Sequence, residues 1–482
     1  MGTSLTSKVA KSAGWVFSGR IFNRIVDLIK VVVLARLLEP EDFGLFGLVM
    51  LIMIMFETFS QTGLNAALVQ HKGNTIEYLD TAWTIQVVRG WVIALTLFFG
   101  APLAAWFFKE PRIILPLKVI CLSFIIQGFI NIETIYFQKD LKFKNQFIYD
   151  TTSNAVSLLA GIVMAYLLRS VWALIWANLA GVFTRLVISY TMLTYRPRFQ
   201  FIKSQYKELF HFGKWMSGYA VASFGWQQLD KFFVGKVLGP IPLGIYQIAQ
   251  RISDLPISNI ASASVNYTFP AYSKMQQGSE RLGKAFLDVL ETLMSLVLPL
   301  VVFTILAAPD IVYGLLTVKW KDSIVPLQIL SVAGFFTALD VLSTPLFISV
   351  GKPNIEFFKN SLKVIILALT MYPFTIWWGL AGSCMSVVVS SVAILPVWAR
   401  IRSIANIKWT DIFSRLLFPS ACGITTALSV LVSHTLIKEN DGLSLAISAS
   451  LSLFLFIVLT LFIGKFYEKG LYMHIRRTIT MS

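Results

Sequence analysis

The sequence predicts an all-α polytopic membrane protein with about fourteen transmembrane helices in two homologous lobes, and three observations carry that expectation. Hydrophobic residues make up 56% of the 482 and charged residues only 14%, with a mean hydropathy of +0.71. No single soluble domain carries such a composition. An α-helical span needs about 20 mostly apolar residues, and fourteen stretches qualify: 14–36, 43–69, 81–108, 113–137, 147–168, 171–194, 210–236, 241–270, 285–308, 323–349, 355–377, 379–399, 411–436 and 443–464. The third observation is a repeat at an offset of 200 residues, which matches Trp15 with Trp215, Arg36 with Lys236, Leu38 with Leu238, Pro40 with Pro240, Gly44 with Gly244 and Phe46 with Tyr246.

Taken in order, the first 13 residues are basic, with Lys8 and Lys11, and are expected at the inner membrane surface. Span one is apolar enough to cross a bilayer, is too long and too charged for a cleaved signal peptide, and carries Arg20, Asn23, Arg24, Asp27 and Lys30. At about 100° per residue these five side chains fall within one helical face roughly 120° wide. Each charge costs about 2.5–3.5 kcal/mol at the bilayer centre on insertion scales, so four facing lipid would cost on the order of 10 kcal/mol. That face must look into protein or water. Pro40 then stops the helix, and Asp42 is placed to cap the next.

Span two begins apolar and ends polar, with Glu57, Thr58, Ser60, Gln61, Thr62 and Asn65. Span seven repeats the polar insertion with Gln227, Gln228, Asp230 and Lys231, and span eight with Gln247, Gln250, Arg251, Ser253, Asp254 and Asn259. Arg251 and Asp254, three apart, can pair on one helical face. The polar spans therefore hold matching positions in the two halves. Leu168-Arg169-Ser170 separates spans five and six, and Arg198 to Trp215 mixes aromatics with lysines in the manner of an interfacial amphipathic helix linking the halves. Arg89, Lys118, Glu133, Arg185, Asp340 and Lys363 are further charges in or near spans, of which several can snorkel to an interface. The expected domains are a first lobe over 1–195, a cytoplasmic linker over 196–209, a second lobe over 210–402, and two final spans with a basic tail over 403–482.

With both termini placed in the cytoplasm, the basic loops Lys139 to Lys144 and Arg196 to Lys214 and the tail from Lys465 fall inside, while the acidic Glu39, Glu41 and Asp42 fall outside, as the positive-inside rule requires. The net charge of +16 follows from this topology and makes anionic membrane lipids a partner. Nucleic acid is excluded as a partner, because the basic residues are dispersed over short loops with no binding fold between them. Cys121, Cys384 and Cys422 have no CxxC spacing, and His71, His211, His434 and His474 have no metal-ligand spacing. A phosphate-binding loop and a nucleophile elbow are both absent. No catalytic residue, metal or cofactor is expected, and Glu39, Glu41 and Asp42 fit helix capping better than catalysis.

The stretch LARLLEPEDFGLFGLVMLI and the following QTGLNAALVQ resemble the polysaccharide transporters of the multidrug/oligosaccharidyl-lipid/polysaccharide exporter superfamily, in the branch that handles lipopolysaccharide, capsule and exopolysaccharide units. The resemblance implies two six-helix lobes forming a V around a central cavity, with two trailing spans, in the cell inner membrane. It implies a flippase that moves a polyprenyl-pyrophosphate-linked oligosaccharide by alternating access. A superfamily relative that flips the peptidoglycan precursor has cations six residues apart in its first span, the spacing of Arg24 and Lys30. On this reading Arg20, Arg24, Lys30 and Arg251 form an anion clamp, with Asp27, Asp230 and Asp254 in coupling or orienting roles. Asn23, Gln61, Asn65, Gln227, Gln247 and Asn259 are the sugar-contacting candidates. A coupling ion, sodium or proton, is left open, and a polysaccharide polymerase and glycosyltransferases are candidate partners. The alternatives are a cation-coupled multidrug exporter, which would prefer acidic cavity residues, and a non-transporting scaffold for polysaccharide assembly.

Overall fold

The computed structural model describes residues 19, 22–61, 63, 68, 75–140, 142–206, 224–225, 227–254, 268, 272, 279–436 and 442–467. Among them the regular structure is all helical, with no strand. Nine helical stretches of the described residues are long and apolar enough to cross a membrane. Expected spans one, two, seven and eight lie partly outside the described residues. By contact the chain divides into two compact units, Met1–Gly244 and Ile245–Ser482.

The first unit opens with α1 (22–37) and α2 (Pro40–Phe59). Pro40 occupies the first turn of α2, where its missing N–H costs nothing. Glu39 is the N-cap, and the Asp42 carboxylate accepts the Glu39 amide at 3.1 Å. Asp42 thus serves as the third-position acid of a capping box and is not itself the cap. The helix α3 (Ile76–Phe108) follows, with a left-handed C-cap at Lys109. Its exposed Val92, Leu95, Phe99, Leu103 and Trp106 recur at helical spacing, an apolar stripe suited to lipid. Next come α4 (Ile114–Ile120), α5 (Leu122–Gly128) and α6 (Tyr136–Lys139).

Two long helices, α7 (Phe143–Leu168) and α8 (Trp172–Met192), pack side by side. The buried residues of α7 are Ser153, Ser157, Gly161 and Ala165, a small residue every four positions that lets helix backbones approach closely. A Cβ on Gly181 would sit 3.1 Å from that of Ser157, and the Ser153 hydroxyl donates to the Gly181 carbonyl at 2.8 Å. The expected break is realised at Arg169, whose φ of 44° is left-handed and closes α7.

Residues 198–202 depart from the amphipathic helix expected over Arg198 to Trp215. They form no helix, residues 203–206 are helical, and the remainder lies outside the described residues. The cause is a set of side-chain acceptors at the start of α3. Asp80 takes the Arg198 amide at 2.7 Å, Thr84 the Gln200 amide at 3.0 Å, and Thr81 the Ile202 amide at 3.4 Å. Acceptors for every second amide satisfy the strap from α3, so it does not turn inward to bond with itself.

After α9 (227–237), the helix α10 (240–254) begins with the second copy of the Pro-x-x-x-Gly pattern. Gly44 packs against the Pro240 carbonyl and Gly244 against the Pro40 carbonyl, so the two copies meet through their glycines.

The second unit contains α11 (Ser279–Leu306), α12 (Ala308–Ile311), α13 (Ile324–Ser349), α14 (Pro353–Val392), α15 (Leu395–Ala405), α16 (Trp409–Leu436) and α17 (Gly442–Tyr467). Its core is made by Phe286, Leu290 and Met294 on α11, Leu342 and Leu346 on α13, and Trp398 and Ile401 on α15. Gly379, at φ 57°, interrupts α14 and divides it where spans eleven and twelve are expected to part. The fully buried Asp310 joins the last helices to this core: its carboxylate meets His434 Nε2 at 2.6 Å and accepts from the Ser444 hydroxyl at 3.1 Å.

Candidate functional site

The polar face of α1 is divided between packing and exposure. Asn154 Nδ2 donates to Asn23 Oδ1 at 3.0 Å, and Lys30 Nζ donates to Ser157 Oγ at 2.6 Å. One helical turn further on, Leu34 fills the space that a Cβ on Gly161 would approach. The line Asn23, Lys30, Leu34 thus lies along the small-residue stripe of α7. Arg24 sits about 100° around the helix from Asn23 and about 120° from Lys30, and its side chain is exposed while Asp27 is half-buried. The structure therefore brings Asn23 and Lys30 together on α7 and turns Arg24 away from them.

In the second copy Asp230 is buried, and its Oδ1 accepts the amide of Lys231 at 2.8 Å. The Lys231 ammonium donates to the Gln227 carbonyl and to Gln228 Oε1, both at 3.3 Å. Lys236, the repeat partner of Arg36, donates to the Phe107 carbonyl and lies 4.1 Å from the centre of the Phe107 ring. Gln61 and Gln227 are exposed. In the second unit Gln247 is half-buried, while Arg251 and Asp254 are exposed one turn apart on α10. Arg20, Asn65 and Asn259 lie outside the described residues.

The remaining intramembrane charges find partners within their own units. Arg89 donates to the Glu57 carbonyl and to Ser60 Oγ, both at 3.1 Å, and so satisfies the end of α2. Lys118 lies 5.0 Å from the Phe98 ring centre, Glu133 accepts the Tyr195 amide at 2.9 Å, and Arg185 faces Asp150 at 3.5 Å. Asp340 and Lys363 belong to a larger network. Lys359 Nζ contacts Asp340 Oδ1 at 2.5 Å, Glu356 Oε2 at 2.6 Å and Ser343 Oγ at 3.0 Å, and Lys363 pairs with the other Asp340 oxygen. Both lysines are at most 2% exposed. Two ammoniums and two carboxylates cancel, which is the condition for burying them.

Sequence reasoning singled out neither Asn154 and Ser157, which receive α1, nor Lys359 and Glu356. Two signals were available: the four-residue spacing of small residues from Ser153 to Ala165, and two lysines one turn apart inside an apolar span, which demand partners. Among the described residues no group of three or more His, Cys, Asp or Glu is placed to hold a metal.

The helices, their apolar outer surfaces and the internally satisfied charges define a multi-pass membrane protein, and comparison places it among transporter folds. It is similar to a structure of the lipid II flippase MurJ in an inward closed conformation, with a TM-score of 0.71 at 14% identity, covering 93% of this chain and 99% of that one. An inward-facing multidrug resistance MATE family transporter of the MOP superfamily gives 0.61 at 18% identity over 80% of this chain and 95% of that one. The chain belongs to the family described as polysaccharide biosynthesis protein, whose model matches residues 33–325. Its relatives include an uncharacterized membrane protein in the cps region of Klebsiella pneumoniae, 23% identical over 90% of this chain and 91% of that one. They also include the lipopolysaccharide biosynthesis protein WzxC of Escherichia coli, 22% identical over 75% of this chain and 74% of that one. The teichuronic acid biosynthesis protein TuaB of Bacillus subtilis is 19% identical over 77% of each.

Proposed function

We propose that the protein is a flippase that carries a polyprenyl-pyrophosphate-linked oligosaccharide across the cytoplasmic membrane by alternating access. The observation that carries this reading is the exposed Arg24 on the polar face of α1, whose Asn23 and Lys30 are taken up by α7, in a chain of a polysaccharide biosynthesis family. A pyrophosphate needs cations in a polar site shielded from bulk water, and a guanidinium offers its oxygens a planar fork. Arg20, Arg24 and Arg251 are assigned to the anion clamp. Lys30 joins it as a point charge oriented by Ser157. Asp27, Asp230 and Asp254 orient these cations or couple transport to sodium or protons, and Asn23, Gln61, Asn65, Gln227, Gln247 and Asn259 meet sugar hydroxyls. The prenyl tail stays in lipid throughout, so the protein shields only the head group.

The basic loops set both termini in the cytoplasm and touch anionic lipids there. The lobes over 1–195 and 210–402 are joined by the linker over 196–209, and the two final spans follow over 403–482. Glycosyltransferases and a polymerase work on the same lipid before and after it is moved. The step is transport without bond making, so no catalytic residue is assigned.

The test is leaflet translocation of a radiolabelled polyprenyl-pyrophosphate oligosaccharide in proteoliposomes, wild type beside Arg24→Ala, with and without sodium and proton gradients. Transport by the wild type that falls at least about tenfold in the variant supports the flippase and places the anion site on α1. If folded wild-type protein moves no such lipid under any gradient, the reading is abandoned in favour of drug export or an assembly role. Resistance to cationic drugs on expression separates those two.

A further inference from the structure

The first unit holds a cavity of about 890 Å³ between α2, α3, α5, α7 and α8, inside the roughly 300–1,000 Å³ range of small-molecule sites. Its charges balance, Arg89 and Arg185 against Glu57 and Asp150, and Arg185 faces Asp150 at 3.5 Å. The lining is thus electrically neutral, which disfavours both a free anion and a free cation as its occupant. Arg89 is committed to the end of α2. Other groups keep their hydrogen-bonding capacity. Among the described residues the side-chain amides of Gln127 and Asn178 and the Tyr149 hydroxyl bond to no protein group, and the Arg185 Nε is buried without an acceptor.

Groups that both donate and accept, spread around a neutral cavity of this size, match the hydroxyls of sugar rings. Position agrees with that chemistry. Tyr149 and Asp150 lie in the first two turns of α7, directly after Lys142 and Lys144, in the basic loop assigned to the cytoplasm. A lipid-linked saccharide built in the cytoplasm would meet this end first.

We propose that the cavity is a saccharide subsite, which holds sugar residues of the head group at Gln127, Tyr149, Asn178 and Arg185 before translocation. This rests on the flippase reading and deepens it: the anion clamp reads the pyrophosphate that all such lipids share, and the cavity reads the glycan. None of these four residues belongs to the anion clamp.

The experiment uses the full chain in proteoliposomes and two probes with the same polyprenyl pyrophosphate, one bearing a single hexose and the other the complete oligosaccharide of the host. The variants are Gln127→Leu, Asn178→Leu and Tyr149→Phe, each checked for an unchanged melting temperature. Translocation of the oligosaccharide lipid should fall about five- to tenfold, the cost of one lost hydrogen bond to a ligand, with the single-hexose lipid changed less than about twofold. Equal loss for both probes overturns the subsite, and so does no loss for either, the result for a cavity that holds only water. If the leucine variants do not fold, Tyr149→Phe, which removes one oxygen and keeps the ring, decides alone. Wild-type protein that carries neither probe removes the flippase reading and the subsite with it, whereas failure of the subsite alone leaves wild-type transport intact.

Discussion

Gly44 and Gly244, separated by 200 residues in the chain, occupy equivalent places in a reciprocal contact, each packed against the carbonyl of the proline four residues before the other. A side chain on either would drive a Cβ into backbone that has no rotamer to escape by. The repeat is therefore read twice, once in the sequence as a pattern and once in space as a self-complementary contact.

Gly44→Ala and Gly244→Ala should each destabilise the protein by about 1–3 kcal/mol, the usual cost of overpacking. Thermal unfolding in detergent measures it. Gly100→Ala is the control, since its Cβ would meet nothing within 4 Å, and replacing a helical glycine there should be neutral or stabilising by up to about 1 kcal/mol.

On α1, Arg24 and Lys30 should separate by phenotype. Arg24→Ala should leave the melting temperature near wild type and abolish most transport. Lys30→Met should lower both, because Lys30 also bonds Ser157 at 2.6 Å. A double-mutant cycle of Lys30→Met with Ser157→Ala should give a coupling energy of about 0.5–3 kcal/mol; additivity would show that the contact contributes nothing to stability.

The network in the second unit should respond to one-sided disruption. Asp340→Asn leaves the buried Lys359 and Lys363 with a single carboxylate, Glu356, and breaking such a buried pair costs about 3–5 kcal/mol. Adding Lys363→Met should recover part of that loss, because it removes the ammonium left without its partner. Unfolding midpoints of the single and double variants check this, and a double variant less stable than Asp340→Asn would contradict it.

Glu110 gives a pH dependence. Arg112 donates to its carboxylate through Nε at 2.7 Å and Nη2 at 2.9 Å, and also pairs with Glu41 at 2.7 Å. These bonds hold the Glu110 carboxyl below its ordinary value of 4.5, against the opposing effect of burial. A depressed carboxyl contributes stability that is complete above about pH 4.5 and is lost as pH falls through its folded value. Glu110→Gln should therefore lower the melting temperature at neutral pH, and its difference from wild type should shrink in acid.

Local sequence was sufficient for the class of this protein. Apolar run length depends only on neighbouring residues, so the helices from Ile76–Phe108 to Gly442–Tyr467 could be anticipated, as could their breaks at Arg169 and Gly379. The repeat and the family followed from residues compared along the chain. Angular spacing in the first expected span likewise placed five polar residues on one face. Tertiary structure alone decided what that face meets. Lys30 finds Ser157 from 127 positions away, Arg24 points clear, residues 198–202 are kept out of a helix by Asp80, Thr81 and Thr84 on α3, and Lys359 and Lys363 become tolerable through Asp340 on another helix. The cavity lined by Gln127, Tyr149 and Asn178 left no local trace, because each residue sits on a different helix. Periodicity states which side chains share a face. Whether that face meets lipid, water or another helix is settled only when the helices pack.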